Sequence, residues 1–214
     1  MNSTGKHIPG ADEIRAYHLE RLNNVLRRPG MWGGEITIRL FMDDVAFVTG
    51  TTEEWQKERE DLQQRGAFSP HGVEGAFALL FPDYGPKLSW EGAAASVYAE
   101  IAWRHGWLSV DRYLPDDTVR ELRTDCTRWK EHDYCLADIE AELGPPSVLH
   151  GGGNPRFDMT LTYAPSTPGQ DIVCFDFAGD DQLRSPMLAV RSGTGPFAES
   201  FIFTPAGTRI LFPR

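Results

Sequence analysis

Cysteine is scarce and unpaired in this sequence, positive charge is outnumbered, and no apolar run is long. Cys126, Cys135 and Cys174 are odd in number, far apart and without a Cys-x-x-Cys pair. A disulfide framework or a Cys-x-x-Cys redox or zinc site is therefore not indicated, and buried free thiols in a reducing cytoplasm are expected. No stretch approaches the roughly 20 apolar residues that a membrane helix needs. Met1-Asn2-Ser3-Thr4-Gly5-Lys6 has no apolar segment behind its lysine, so neither a membrane span nor a secretory signal is expected. Lysine and arginine number 21 against 31 acidic residues, a net charge of −10. That balance opposes nucleic-acid binding, whose affinity comes largely from cations on phosphates, and favours a basic partner.

Catalytic signatures are equally thin. The six histidines never fall at the i, i+4 spacing of a helical zinc pair. Arg191-Ser192-Gly193-Thr194-Gly195 lacks the first glycine of a hydrolase elbow. His150-Gly151-Gly152-Gly153-Asn154 can turn backbone N–H groups toward an anion, but it has neither a following helix nor a P-loop lysine. It reads as a flexible connector. Asp171, Asp176, Asp180 and Asp181 do not have calcium-loop spacing, and a solvated acidic rim is expected there. No metal and no cofactor is expected.

What is present divides at about residue 134. After a loose tail over 1–10, Asp12 is placed to cap a helix running to about Arg27, with Ile14, Tyr17, Leu22, Val25 and Leu26 along one face. A second helix is expected from Ile36 to Val48, with Ile36, Leu40, Phe41, Val45 and Val48 at helical spacing. A third runs to Arg65 behind a Thr51/Glu54 capping box, charged enough to lie on the surface. Trp90 to His105 reads as a buried helix whose alanines allow close packing, and Asp116 or Asp117 starts another. Residues 136–143 form a short amphipathic helix stopped by Gly144, for which a left-handed conformation is expected. Beyond it the period changes to two, with strands expected near 157–163, 172–177 and 188–191. Phe201-Ile202-Phe203 and Ile210-Leu211-Phe212 are read as a hairpin around Gly207. The expected fold is α+β: a helical region over 1–133, closely packed with a four- or five-stranded antiparallel sheet module over 134–214 that has one face on helices.

Two short stretches resemble known families. Arg28-Pro29-Gly30-Met31-Trp32-Gly33-Gly34 resembles the Arg-Pro-Gly-Met-Tyr-x-Gly segment of gyrase-B-type ATPases, in which the following helix supplies a glutamate base and a magnesium-holding asparagine. Here Asp43-Asp44 is the nearest acid pair, and Phe47 and Val48 stand where the asparagine would fall. Asp83-Tyr84-Gly85-Pro86-Lys87 also breaks the family's Asp-x-Gly-x-Gly. ATP hydrolysis is rejected, and the segment is read as an anchoring turn with Met31 and Trp32 packing inward. The order helix, Leu143-Gly144-Pro145-Pro146, strand, strand, with Tyr163, Phe175 and the Gly207 turn, resembles the small αβ modules of β-lactamase inhibitor proteins and outer-membrane-assembly lipoproteins. That resemblance implies a binding module rather than a catalyst.

The leading expectation is a cytoplasmic, non-enzymatic binding or inhibitor protein, such as a bacterial immunity-type protein that neutralises a basic partner, for instance a toxin. Asp180, Asp181, Phe177 and an exposed Trp55 are its partner-binding residues. The alternative is a small-ligand binder or enzyme using a cleft between the halves, with His150, Asn154 and Asp176 as polar groups. A third reading is a structural subunit of a larger assembly.

Overall fold

A computed structural model describes residues 8–82, 89–182 and 184–213. Residues 1–7 of the expected tail, the Asp83–Lys87 stretch and the side chain of Cys126 lie outside what is described. The class is α+β, with helices mainly in the N-terminal part and a five-stranded antiparallel sheet in the C-terminal part. The helices are α1 (Ala11–Arg27), α2 (Glu35–Thr49), α3 (Thr52–Gln64), α4 (Gly72–Leu80), α5 (Glu91–Arg104), α6 (Asp116–Thr124), α7 (Cys126–Glu131) and α8 (Leu136–Leu143). Strands β1 (Val148–His150), β2 (Met159–Tyr163), β3 (Val173–Phe177), β4 (Met187–Arg191) and β5 (Phe201–Phe203) follow, and α9 (Pro205–Leu211) comes last. The strands pair in chain order, as a meander.

The sheet is covered on both faces, not one. Met159, Leu161, Tyr163, Val173, Phe175, Phe177 and Val190 pack with Val119, Leu122, Trp129 and Ile139 of α6–α8. Val148, Cys174, Leu188 and Phe201 face the other way and share a core with α1–α5. All residues of β2, β3 and β4 are buried for this reason. Period-two alternation survives, but its polar positions look into a second layer of helices rather than into water. A bulge shifts the β3–β4 register between Asp176, opposite Ala189, and Phe177, opposite Met187, which leaves Leu188 as the extra residue of β4.

Several local expectations change. Thr204 to Thr208 is a helix start, not a hairpin turn. The Thr204 hydroxyl accepts the Gly207 N–H at 2.9 Å, and Pro205 sits at the first helical position, both helix-opening features. A Cβ on Gly207 would lie 1.8 Å from the Leu188 carbonyl oxygen, so only glycine lets α9 rest on β4. The Thr51 side chain bonds the Thr49 hydroxyl and does not cap α3. Residues 72–80, within a stretch punctuated by glycine and proline, form α4, and α6 and α7 are two helices where one was expected. Gly144 has φ +75° but an extended ψ of −171°, so it is not left-handed helical.

Candidate interaction surface

The residues singled out from sequence lie in very different surroundings. Trp55 is buried, with 3% exposure, and its indole N–H donates to Asp43 Oδ1 at 2.6 Å. It ties α3 to α2 and is not an exposed anchor, because the N–H is held by Asp43 and the ring fills the space beside Tyr98. Phe177 is likewise interior, packed on the α6–α8 side. The Asp180 carboxylate accepts the N–H groups of Gln182 and Arg184 at 3.0 and 3.2 Å, closing the turn after β3. Asp181 is the exposed member of this group.

His150 and Asp176 share a sheet face but no cleft. Both are buried, at 0% and 5% exposure, with Thr160 paired between them, and Asn154 is outside, accepting the Arg156 N–H. His150 ends β1 rather than opening a flexible connector. Its Nδ1 is 2.8 Å from the Leu26 carbonyl, so Nδ1 carries the proton and donates. Nε2 then accepts from the Thr162 hydroxyl at 3.0 Å. Burial, with Arg27 and Arg191 adding repulsion against the hydrogen bond to Leu26, holds this imidazole down at about 4. Thr160 donates to Asp176 at 2.7 Å, and Arg191 pairs with Glu100 and donates to Ser96 at 2.5 Å. Burial pushes the Cys174 thiol up to about 12, far from a thiolate nucleophile at neutral pH. This polar row joins the sheet to α1 and α5.

Large apolar side chains reach solvent on the opposite side of the helical layer. On α2, Ile38, Met42, Val45 and Ala46 face the core. Ile36, Leu40 and Phe47, at 79%, 56% and 79% exposure, form a second apolar stripe at i, i+4 and i+11. Ile14 and Tyr17 of α1 are exposed as well. His18 Nδ1 lies 3.4 Å from Asp44 and ties the two helices side by side. The Arg21 guanidinium lies 5.1 Å from the Tyr17 ring and 5.7 Å from the Trp32 ring, linking α1 to the turn before α2. Met31 and Trp32 of that turn point outward at 71% and 43% exposure, not inward.

A hollow of about 310 Å3 adjoins the stripe at Ile36, between Gly30, Gly34, Arg39, His71, Glu74 and Glu91. Glu35 forms its floor. The Glu35 carboxylate accepts the Val73 and Glu74 N–H groups at 2.6 and 2.8 Å and the Tyr98 hydroxyl at 2.5 Å, so the start of α4 is anchored on it. Burial, with Glu35 and Glu91 adding repulsion, pushes Glu74 up. A Cβ on Gly30 would come within 2.6 Å of Glu91 Oε2, so glycine there leaves the space that Glu91 uses. Among the described residues no group of three or more histidine, cysteine or acidic side chains is arranged to hold a metal ion.

Set against protein-family models, curated proteins and solved structures, the chain matches none. No helix among the described residues is long and apolar enough to cross a membrane. Helical spacing grouped Ile36 and Leu40 with Val45, but the core takes Val45 with Ile38 and Met42 and leaves Ile36 and Leu40 in solvent, because α2 carries apolar residues on two sides. Glu74 and Glu91 had no such signal, since separate helices bring them together.

Proposed function

We propose that this is a non-enzymatic binding protein of the inhibitor or immunity type, whose acidic surface neutralises a basic protein partner such as a toxin. The observation that carries this reading is the exposure of Tyr17, Met31, Trp32, Ile36, Leu40 and Phe47, all on two adjacent helices and the turn between them, on a chain of net charge −10. Grouped exposed apolar side chains of this size are characteristic of protein contact sites. Aromatic residues, methionine and arginine are the types enriched there. The charge favours a cationic partner, and rim acids of this kind raise association rates. The reading of a ligand cleft around His150, Asn154 and Asp176 draws no support from the geometry, since the first and last are sealed between layers.

The test is affinity capture. Host extract is passed over the immobilised chain at low salt, and retained protein is eluted by raising the salt. A basic protein should elute, and its purified activity should fall when the chain is added. Retention of no basic protein, or an eluted protein whose activity the chain leaves unchanged, would refute the proposal.

A further inference from the structure

The location and chemistry of the contact follow from the surface itself, and the inference rests on the binding function proposed above. We infer that the partner docks on the outer face of α1 and α2, laying apolar side chains along Trp32, Ile36, Leu40 and Phe47 and seating a lysine or arginine side chain in the hollow between Glu74 and Glu91.

Charge complementarity identifies the occupant. At the Phe47 end, the side-by-side run of α1 and α2 brings Asp12 and Glu13 beside the last turn of α2, while Asp44 pairs with His18 and Asp43 lies 3.9 Å from Arg59. Glu53 and Glu54 open α3, which follows α2 directly. At the Ile36 end, Glu74 and Glu91 form no ion pair with a lysine or arginine among the described residues. Arg39 also lines the hollow, its guanidinium 5.2 Å from the Phe68 ring. The lining still carries the carboxylates of Glu35, Glu74 and Glu91 against that one guanidinium, so a further cation is attracted there and an acidic side chain is repelled. A long cationic side chain can lay its aliphatic stem along Ile36 while its charged head reaches the carboxylates. A second copy of this chain would bring net −10 against net −10 and a carboxylate-rimmed face against its like. The matching surface is therefore apolar and flanked by lysine or arginine.

The probe is a synthetic amphipathic helical peptide of leucine and lysine, compared with its leucine–glutamate counterpart by fluorescence anisotropy at low salt. Wild type should bind the lysine peptide about tenfold or more tightly than the glutamate peptide. Leu40→Ser/Phe47→Ser and Glu74→Gln/Glu91→Gln should each weaken lysine-peptide binding by about tenfold. Leu40 and Phe47 are exposed, so the thermal midpoint of the first double variant should stay near wild type. Equal binding of the two peptides, absence of lysine-peptide binding, or unchanged affinity in either double variant would overturn the inference. A wild-type dimer made monomeric by Leu40→Ser/Phe47→Ser would also overturn it, by showing that a second copy covers the face. The proposed function fails separately: a captured inhibitor target that binds both double variants as wild type moves the docking site and leaves the inhibitor reading standing. Capture of no target sinks that reading whatever the peptides do.

Discussion

Acidification should unfold this protein partly through His150. The imidazole is fully buried, gives its Nδ1 proton to Leu26 at 2.8 Å and takes one from Thr162 at 3.0 Å. Its folded pKa of about 4 lies below the unfolded value near 6.5. Between those values the unfolded chain binds more protons, so stability falls as pH falls and is fully present above about pH 6.5. A gap of this size corresponds to roughly 3 kcal/mol lost by the time pH has dropped to 4. Urea unfolding at several pH values between 7 and 4, on wild type and His150→Gln, measures it. Glutamine retains a donor and an acceptor but does not titrate, and the other titrating groups are common to both proteins. The wild-type curve should therefore fall relative to the variant by an amount of that order. Parallel curves across the window would refute the neutral, buried assignment of His150.

Asp158 works in the opposite direction. It accepts the Ser89 and Gly179 N–H groups at 2.8 and 2.6 Å, and burial nonetheless pushes it up to about 6. Stability from this group should fall as pH rises from about 4 to 6, and subtracting the Asp158→Asn unfolding curve from wild type should reveal that slope; its absence would contradict the burial of the carboxylate. Gly144→Val should cost about 1–3 kcal/mol in a denaturation midpoint, because φ +75° with ψ −171° is almost confined to glycine. A Cβ there would also meet the Arg112 guanidinium at 2.5 Å. An unchanged midpoint would show that the backbone differs. Gly207→Ala should be more disruptive, since the obstruction is backbone of β4 rather than a flexible side chain, and thermal melting should show α9 loosened or the whole fold weakened by a few kcal/mol, of the order of an overpacked core.

The helical half was legible where one face is apolar and the other charged. α1 follows that rule over Leu22, Val25 and Leu26, although Ile14 and Tyr17, expected on the same face, are exposed, and α5 is buried on nearly every side, as its alanines indicated. Strands β2 and β3 were legible from period two. What that period could not say is that Thr160, Thr162 and Asp176 face helices, because their partners, a histidine from β1 and the arginine of β4, come from elsewhere in the chain. β1 is only three residues long, too short for any periodicity to register. Thr204-Pro205 carried both a cap and a helix-compatible proline, but Gly207 drew the reading toward a turn. Trp55 looked exposed because its sequence neighbours are charged; its one buried face is set by Asp43 on another helix.

α2 joins the fold to the proposed contact. α2 carries apolar residues on two sides, along with Arg39, Asp43 and Asp44, and buries only its Ile38, Met42 and Val45 side. Covering the remaining exposure of Ile36, Leu40 and Phe47 would contribute roughly 3–6 kcal/mol at the usual value per buried side chain. After the cost of association, that is the share of affinity the stripe can supply. The carboxylates around it act differently. Exposed charges attract across about 10 Å at 0.1 M salt, so they govern how fast a cationic partner arrives and which partner is accepted. Apolar area then governs how long the partner stays. The central sheet takes no part in the proposed contact, because its polar row holds α1 and α5 instead.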